Sequence, residues 1–467
     1  MRTRRDPTAI IKNANDMKGA AVMNNNYISE RILAKNITVS NDTRATGINN
    51  NDLIIGPSGA GKTRGYVKPN ILQCNESMII ADTKGDLIDE VGGVLRENGY
   101  RVIHVNFKDL EKSYGYNPLD YIRQDPKSGK YNEQDILTIA QAVVPNLDRR
   151  DPFWDNAAKM YFACAIAYVM ECLPECEHNL KAVTDMCAEL STGGFYRLLD
   201  ERAISHPKSY SVKLYKLFQS NTTADRMEAS IVGILNERLN EFTIDGAVKM
   251  FTSNRRISFK SLGREKTAVF LSISDTDRSM DRLVSLFYTQ ALHTLCDSAD
   301  KDYPDHRLPM PVRMILDDFA TNAYIPDFDN IISVIRSREI SVSVILQSIT
   351  QLSGLYGYAR AQTIINNCDN CLYLGGQDMD TAHMMSIKAN KPLNKVLDMP
   401  LNTAFLFTRG QAARQVEKFD IKEHERYCKL PEYKRELYLR KNTNNYCELT
   451  PDDPGFFDID FLADEAS

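Results

Sequence analysis

No apolar run in this 467-residue sequence is long enough to cross a bilayer as a helix. The most apolar segment, MYFACAIAYVMECL at 160–173, is too short and follows Lys159. It reads as a buried core helix. Charge of one sign is also lacking: 57 Lys and Arg face 62 Asp and Glu, a net charge of −5. Any contact with nucleic acid must then use a local basic surface, such as a pore or groove. No apolar h-region follows the basic start MRTRRDPTAI, so nothing reads as a secretory signal. The ten cysteines are scattered, which suits a reducing cytoplasm. Cys368 and Cys371 have C-x-x-C spacing with no second pair nearby. Cys172, Cys176 and His178 only follow an apolar helix. Neither grouping reads as a zinc site.

What is present begins at 54–71, IIGPSGAGKTRGYVKPNI. An apolar run stops at Gly56, and Gly61-Lys62-Thr63 follows, fitting G-x-x-x-x-G-K-[ST]. A strand before the pattern and a helix after it are the context a phosphate loop requires. Gly56, Pro57, Ser58, Gly59, Ala60, Gly61, Lys62, Thr63 and Arg64 then form the expected nucleotide cradle. Its glycines let consecutive N–H groups turn toward an anion, and the helix adds its positive end. Lys62 is expected at the β- and γ-phosphates and Thr63 at Mg²⁺. The helix after the loop is expected to close at Pro69.

Mg²⁺ needs a carboxylate beyond Thr63, expected at the end of a strand beside the loop strand. Asp317, closing the apolar run MIL, stands in that position; the alternative is an acid in an ordinary turn. Asp318 follows where a water-activating acid is expected, its carboxylate one bond closer to the backbone than a Glu. Gln347 ends the apolar strand SVSVIL and suits a water-positioning amide. Between these strand ends, VIRSRE carries Arg336 and Arg338, candidates to reach a neighbouring subunit's nucleotide.

Residues 1–50 are polar and Asn-rich, and either wrap over the core or carry a short strand. From 51 short apolar runs alternate with a helical segment at 86–98, which implies a parallel sheet. From about 132 to 262 the periodicity turns helical, with segments at 134–145, 153–173, 178–191, 194–203, 208–219 and 223–242. Strand-like runs resume at 267–273, 312–316, 341–346, 371–374 and 404–407, with a helix at 280–298 between the first two. The last twenty residues, ELTPDDPGFFDIDFLADEAS, contain no Lys or Arg. They read as a flexible acidic tail or a docking peptide carrying Phe456, Phe457, Phe461 and Leu462.

These pieces together resemble one family. They are GPSGAGKTR with VKPN, ADTKGD, NPLDYI, DPFWDNAAKMYF, LDDFATNAYIPDFDNIISVIRSREISVSVILQSITQL and NNCDNCLYLGG. The chain is similar from about 51 to 427 to the type IV coupling proteins, the TraG/TraD-like conjugative DNA-transfer ATPases. These sit within the FtsK/HerA group of RecA-like motors. The resemblance implies an α/β fold: a RecA-like P-loop nucleotide-binding domain with a parallel-rich central sheet and an inserted all-α domain. The expected division is 1–50, a polar N-terminal segment; 51–131 with 263–430, the nucleotide-binding domain; 132–262, the all-α insertion; and 431–467, a C-terminal extension.

The resemblance further implies ATP and Mg²⁺ as cofactors. It implies relaxase-bound single-stranded DNA and type IV secretion channel components as partners. A homo-hexamer is implied when active, with a monomer in isolation left open. It matches Lys62 and Thr63 to Walker A, Asp317 to Walker B, and Gln347 to the glutamine after the arginine segment. Asp82 and Lys84 match a family D-P-K-G with Thr83 in place of Pro. Two departures stand out. Most relatives begin with transmembrane helices and this sequence shows none, so a soluble member, a truncated chain, or a cytoplasmic chain docking at the membrane through a separate partner is expected. Asp318 replaces the usual Glu. Transfer of DNA, passage of protein substrates, and an ATP-binding but weakly hydrolysing relaxase adaptor are the functions to separate.

Overall fold

The structure, a computed structural model, describes residues 29–145, 153–189, 193–221, 225–319 and 324–446. The acidic tail lies outside the described residues. So does most of the polar start.

Two strands come first, β1 (Glu30–Ala34) and β2 (Ile37–Ser40), paired antiparallel as a hairpin. The polar N-terminal segment thus carries two strands, and a short helix, Thr43–Thr46, follows them. Nine further strands build one sheet. They are β3 (Asp52–Ile55), β4 (Ser77–Asp82), β5 (Arg101–Asn106), β6 (Thr267–Ser272), β7 (Val312–Leu316), β8 (Ile340–Leu346), β9 (Asn370–Tyr373), β10 (Thr403–Thr408) and β11 (Arg414–Glu417). Their order is β11-β10-β9-β3-β8-β7-β4-β6-β5. From β9 to β5 every pairing is parallel; β10 and β11 add an antiparallel edge.

Strands β3, β4, β6, β7 and β8 are buried along their whole length, as a parallel sheet covered on both faces requires. Side chains alternate between the faces. Leu53 and Ile55 join one hydrophobic cluster, and Ile54 joins the other. Helices Lys68–Leu72 and Leu87–Glu97 and the hairpin cover the second face. Helix Asp281–Asp302 packs into the first cluster.

Two buried arginines at this sheet make ion pairs. Arg31 of the hairpin is buried and donates from Nε to Asp52 at 2.7 Å, with Nη1 on Asn41 and Asn50 at 3.0 Å each. Tyr66 Oη gives Asp52 a further bond at 2.7 Å. Arg313, wholly buried in β7, pairs with Glu76 and donates to Asn50 O at 2.9 Å. These bonds tie the hairpin to the strand that enters the phosphate loop.

Between β5 and β6 the described residues hold helices and no strand. Glu133–Val143, Phe153–Cys172, Leu180–Ala188, Gly194–Ser205, Tyr210–Asn221 and Asp225–Leu239 stand where the helical periodicity places them. Asp245–Thr252 and Phe259–Leu262 escaped it, because they are only two turns and one turn long. Helix Phe153–Cys172 is buried from Tyr161 to Met170. It packs against helices Tyr210–Asn221 and Asp225–Leu239, which explains its even apolarity. Among the described residues no helix is long and apolar enough to cross a membrane.

Candidate nucleotide site

The loop runs from the end of β3 into a helix, but the helix does not close at Pro69. Residues Thr63–Val67 form a π-helical turn that continues into the helix Lys68–Leu72, which contains Pro69. Proline has no N–H for the carbonyl four residues back. The turn widens instead, and Lys68 N–H reaches Thr63 O five residues back. Gly61 sits at φ +92°, open to glycine and strained for other residues. At Gly56 the reason is space: an added Cβ would lie 2.9 Å from Leu374 Cβ and 3.0 Å from Ala60 Cβ.

Strand ends then bring the other residues in. Gly56 follows β3, Asp317 follows β7 and Gln347 follows β8, all at carboxyl ends of parallel strands. Open α/β sheets place ligands at those ends. One expectation is corrected here. The strand of Asp317 is not beside the loop strand; β8 lies between them, and β8 delivers Gln347. Thr63 nevertheless donates from Oγ1 to Asp317 Oδ2 at 3.0 Å. The turn through Asp318 carries the acids over the intervening strand end. Asp318 takes a left-handed φ of +48° and donates its N–H to Asp317 Oδ1 at 3.1 Å. Such backbone positions store strain and cluster at functional sites.

Lys62 is buried and donates to Gly56 O at 2.9 Å and Pro57 O at 3.2 Å, with Asp318 Oδ1 at 3.7 Å. Gln347 Nε2 faces the same Asp318 Oδ1 at 3.4 Å. The five side chains of Lys62, Thr63, Asp317, Asp318 and Gln347 therefore form one connected group. Burial, then the nearby Asp318 charge, push the Asp317 carboxyl up to about 6. A hydroxyl beside a buried carboxylate is a hard, oxygen-only donor pair, which fits Mg²⁺.

The two arginines do not join this group within the chain. Arg336 and Arg338 precede β8, whose far end delivers Gln347, so the strand itself separates them by roughly 25 Å. Arg338 forks onto Asp300 at 2.9 and 2.8 Å. Arg336 is half-buried and donates to Thr43 O at 3.3 Å, with no ion pair among the described residues. The Arg64 guanidinium turns to Glu432 of the C-terminal helix at 2.6 Å. Asp82 closes its own turn, accepting from Gly85 N at 2.8 Å and Leu87 N at 2.9 Å. Lys84 is exposed next to it. Cys368 and Cys371 are both buried in the core.

One site residue carried no signal in the sequence. Lys418, just after edge strand β11, donates to Ala60 O of the loop and to Leu374 O, each at 3.0 Å. Only the chain path brings it there.

A family model described as Type IV secretory system Conjugative DNA transfer matches residues 11–390. The chain belongs to that family. Protein VirD4 of Rhizobium radiobacter is 24% identical over 336 residues, covering 72% of this chain and 47% of the relative. The conjugal transfer protein TraG of Escherichia coli is 24% identical over 347 residues, covering 68% and 51%. The chain thus spans about half the length of these curated relatives. Among solved structures, the plasmid coupling protein TrwB in complex with the non-hydrolysable ATP analogue ADPNP aligns with a TM-score of 0.61 at 15% identity. It covers 88% of this chain and 93% of its own. TrwB in complex with ADP and Mg²⁺ aligns with a TM-score of 0.56 at 16% identity and the same coverage. The coupling-protein fold is therefore the fold of this chain. It is an α/β, RecA-like P-loop fold, as the resemblance implied.

Proposed function

We propose that this family member is an ATP-dependent coupling protein that brings relaxase-bound single-stranded DNA to a type IV secretion channel and drives its transfer. The observation that carries the reading is the convergence of Lys62, Thr63, Asp317, Asp318 and Gln347 at adjoining strand ends. That set supplies what phosphoryl transfer to water requires of a protein: charge for the phosphates, a metal seat, and groups to orient the water. Loop N–H groups and Lys62 hold the phosphates. Lys62 already rests on the loop's own carbonyls, so its ammonium is poised over the cradle. Thr63 and Asp317 would hold Mg²⁺, which would neutralise phosphate charge when bound. Gln347 and Asp318, 3.4 Å apart, orient the attacking water, and Asp318 accepts its proton.

We assign the arginine offered to a neighbouring subunit to Arg336. Arg338 is held by Asp300, whereas Arg336 makes one bond to a carbonyl. Because both lie far from this chain's own loop, the reading needs a ring, and a homo-hexamer is proposed. The division into a motor (51–131 and 263–430), an inserted helical domain (132–262) and terminal extensions is part of the same proposal. So is a cytoplasmic position reached through membrane partners.

A second reading rests on Asp318. Its short carboxylate leans toward Lys62, and an acid so placed fits an ATP-binding relaxase adaptor that turns over slowly. Steady-state hydrolysis by the purified chain, with and without single-stranded DNA and beside Lys62→Ala, separates the two. DNA-stimulated turnover that Lys62→Ala abolishes is expected of the motor. Nucleotide binding with turnover no higher than the variant's favours the adaptor.

A further inference from the structure

Helix Asp281–Asp302 follows β6 and touches two separate parts of the chain through its first turns. Arg282 reaches the inserted helices. Its Nη1 donates to Val143 O at 3.1 Å and to Arg238 O at 3.3 Å, and its Nε pairs with Glu241 Oε1 at 2.9 Å. Val143 closes helix Glu133–Val143, and Arg238 lies in the last turn of helix Asp225–Leu239. One guanidinium thus meets the negative ends of two helices.

One turn further, Ser285 donates from Oγ to Tyr324 O at 2.6 Å. Tyr324 lies on the segment that leaves Asp318. Its neighbour Ile325 donates from N–H to Tyr356 Oη at 3.0 Å, and that hydroxyl donates to Ile325 O at 3.2 Å. Tyr356 ends helix Ile349–Tyr356, which follows Gln347. Its ring stacks on Phe319, the residue after Asp318, with centroids 5.9 Å apart. The segments leaving Asp318 and Gln347 therefore meet at Tyr356, and Ser285 holds that junction to the helix that carries Arg282.

Farther along the same helix, contact with the inserted domain is looser. A cavity of about 690 Å³ lies between Gln290, His293 and Asp297 on one side and Asp135 and Thr138 of helix Glu133–Val143 on the other. Arg123 bridges its rim, 2.7 Å from Asp135 and 3.1 Å from Asp297, but the guanidinium is exposed and such pairs hold weakly. Close-packed contacts transmit a displacement, whereas a void leaves room to tilt.

We propose that Arg282 is the pivot between the inserted helices and the nucleotide site, and that Ser285 passes shifts of the Asp318 and Gln347 segments to it. Both are positioning residues, acting through the groups they hold. The proposal rests on the nucleotide reading above and adds a regulatory link between that site and the inserted domain.

Hydrogen exchange on the full chain tests it, with and without Mg²⁺ and a non-hydrolysable ATP analogue. In wild type the analogue is expected to slow exchange in the phosphate loop and to change it by about threefold or more in 133–143 and 225–242. Ser285→Ala, a small change that spares the fold, is expected to keep the loop protection and lose the response of the inserted helices. Arg282→Gln should do the same, and Arg282→Lys, which keeps a cation at the two carbonyls, should retain the response. A merely structural role would alter exchange in those helices equally with and without nucleotide. Loop protection in wild type with no response in the inserted helices overturns the proposal. So does a response in Ser285→Ala and Arg282→Gln equal to that of wild type. If wild type shows no loop protection, or Lys62→Ala shows as much, the nucleotide reading itself fails and the pivot with it.

Discussion

Thr63 and Asp317 lie 254 residues apart in sequence, and the Thr63 hydroxyl donates to the Asp317 carboxylate at 3.0 Å. This bond closes the corner proposed above to hold the metal. It also ties the loop that follows β3 to the end of β7, across the strand that carries Gln347.

The corner predicts a pH dependence. Burial raises the folded Asp317 carboxyl to about 6, above its ordinary value. Between roughly pH 4 and 6 the folded chain then holds a proton that the unfolded chain releases. Stability from this group is full below that window and is lost as pH rises through it. Asp317→Asn removes this part of the slope in denaturant titrations across pH 4–7. Mg²⁺ needs the ionised carboxylate, so Mg²⁺-dependent stabilisation of wild type should appear as pH passes about 6. Mg²⁺ stabilisation that is level across that range contradicts the assignment.

Gln347→Ala is expected to reduce turnover by on the order of a hundredfold while nucleotide affinity stays within about threefold. The amide faces Asp318 at 3.4 Å, so in this reading its loss touches the water and leaves the phosphates held by Lys62 and the loop. A parallel loss of affinity measured with an ATP analogue counts against a water-positioning role.

Arg336→Ala is expected to cut turnover by on the order of a thousandfold when subunits are assembled, since it would neutralise charge at the neighbour's site. Mixing is the decisive measurement. Arg336→Ala subunits carry an intact loop, and Lys62→Ala subunits carry an intact arginine. Their mixture should recover activity that neither has alone. Arg338→Ala should leave turnover largely intact and cost under about 1 kcal/mol, as its pair with Asp300 is partly exposed. Recovery by mixing with Arg338→Ala instead would reverse the assignment.

Arg31→Met should destabilise the chain by about 3 kcal/mol, because it leaves the buried Asp52 carboxylate short of its closest cation. Arg313 stands 3.7 Å from the same carboxylate and limits the loss. Thermal or urea unfolding measures it. A shift below about 1 kcal/mol would mean that the hairpin is not part of the cooperative unit.

The sequence by itself determined the fold class and where the glycine-rich loop lies. Gly56 to Thr63 is a local pattern, and a phosphate cradle is made of consecutive backbone groups, so spacing suffices. Apolar runs ending in Asp317 and Gln347 marked strand ends for the same reason: the runs are buried strands of five and seven residues, each followed by a polar turn. The helices between β5 and β6 were legible from their period.

Tertiary structure decided the rest. Strand order is a matter of pairing between distant segments, so the place of β8 between the two halves of the site was not in any local pattern. The π turn at Thr63–Val67 arises from Pro69 acting in a packed helix that continues past it. Packing also turned Arg64 to Glu432 and locked Arg338 onto Asp300, separating two arginines that the sequence left equivalent. Lys418 reaches the loop only because two antiparallel strands fold the chain back beside β9, bringing together residues 358 positions apart.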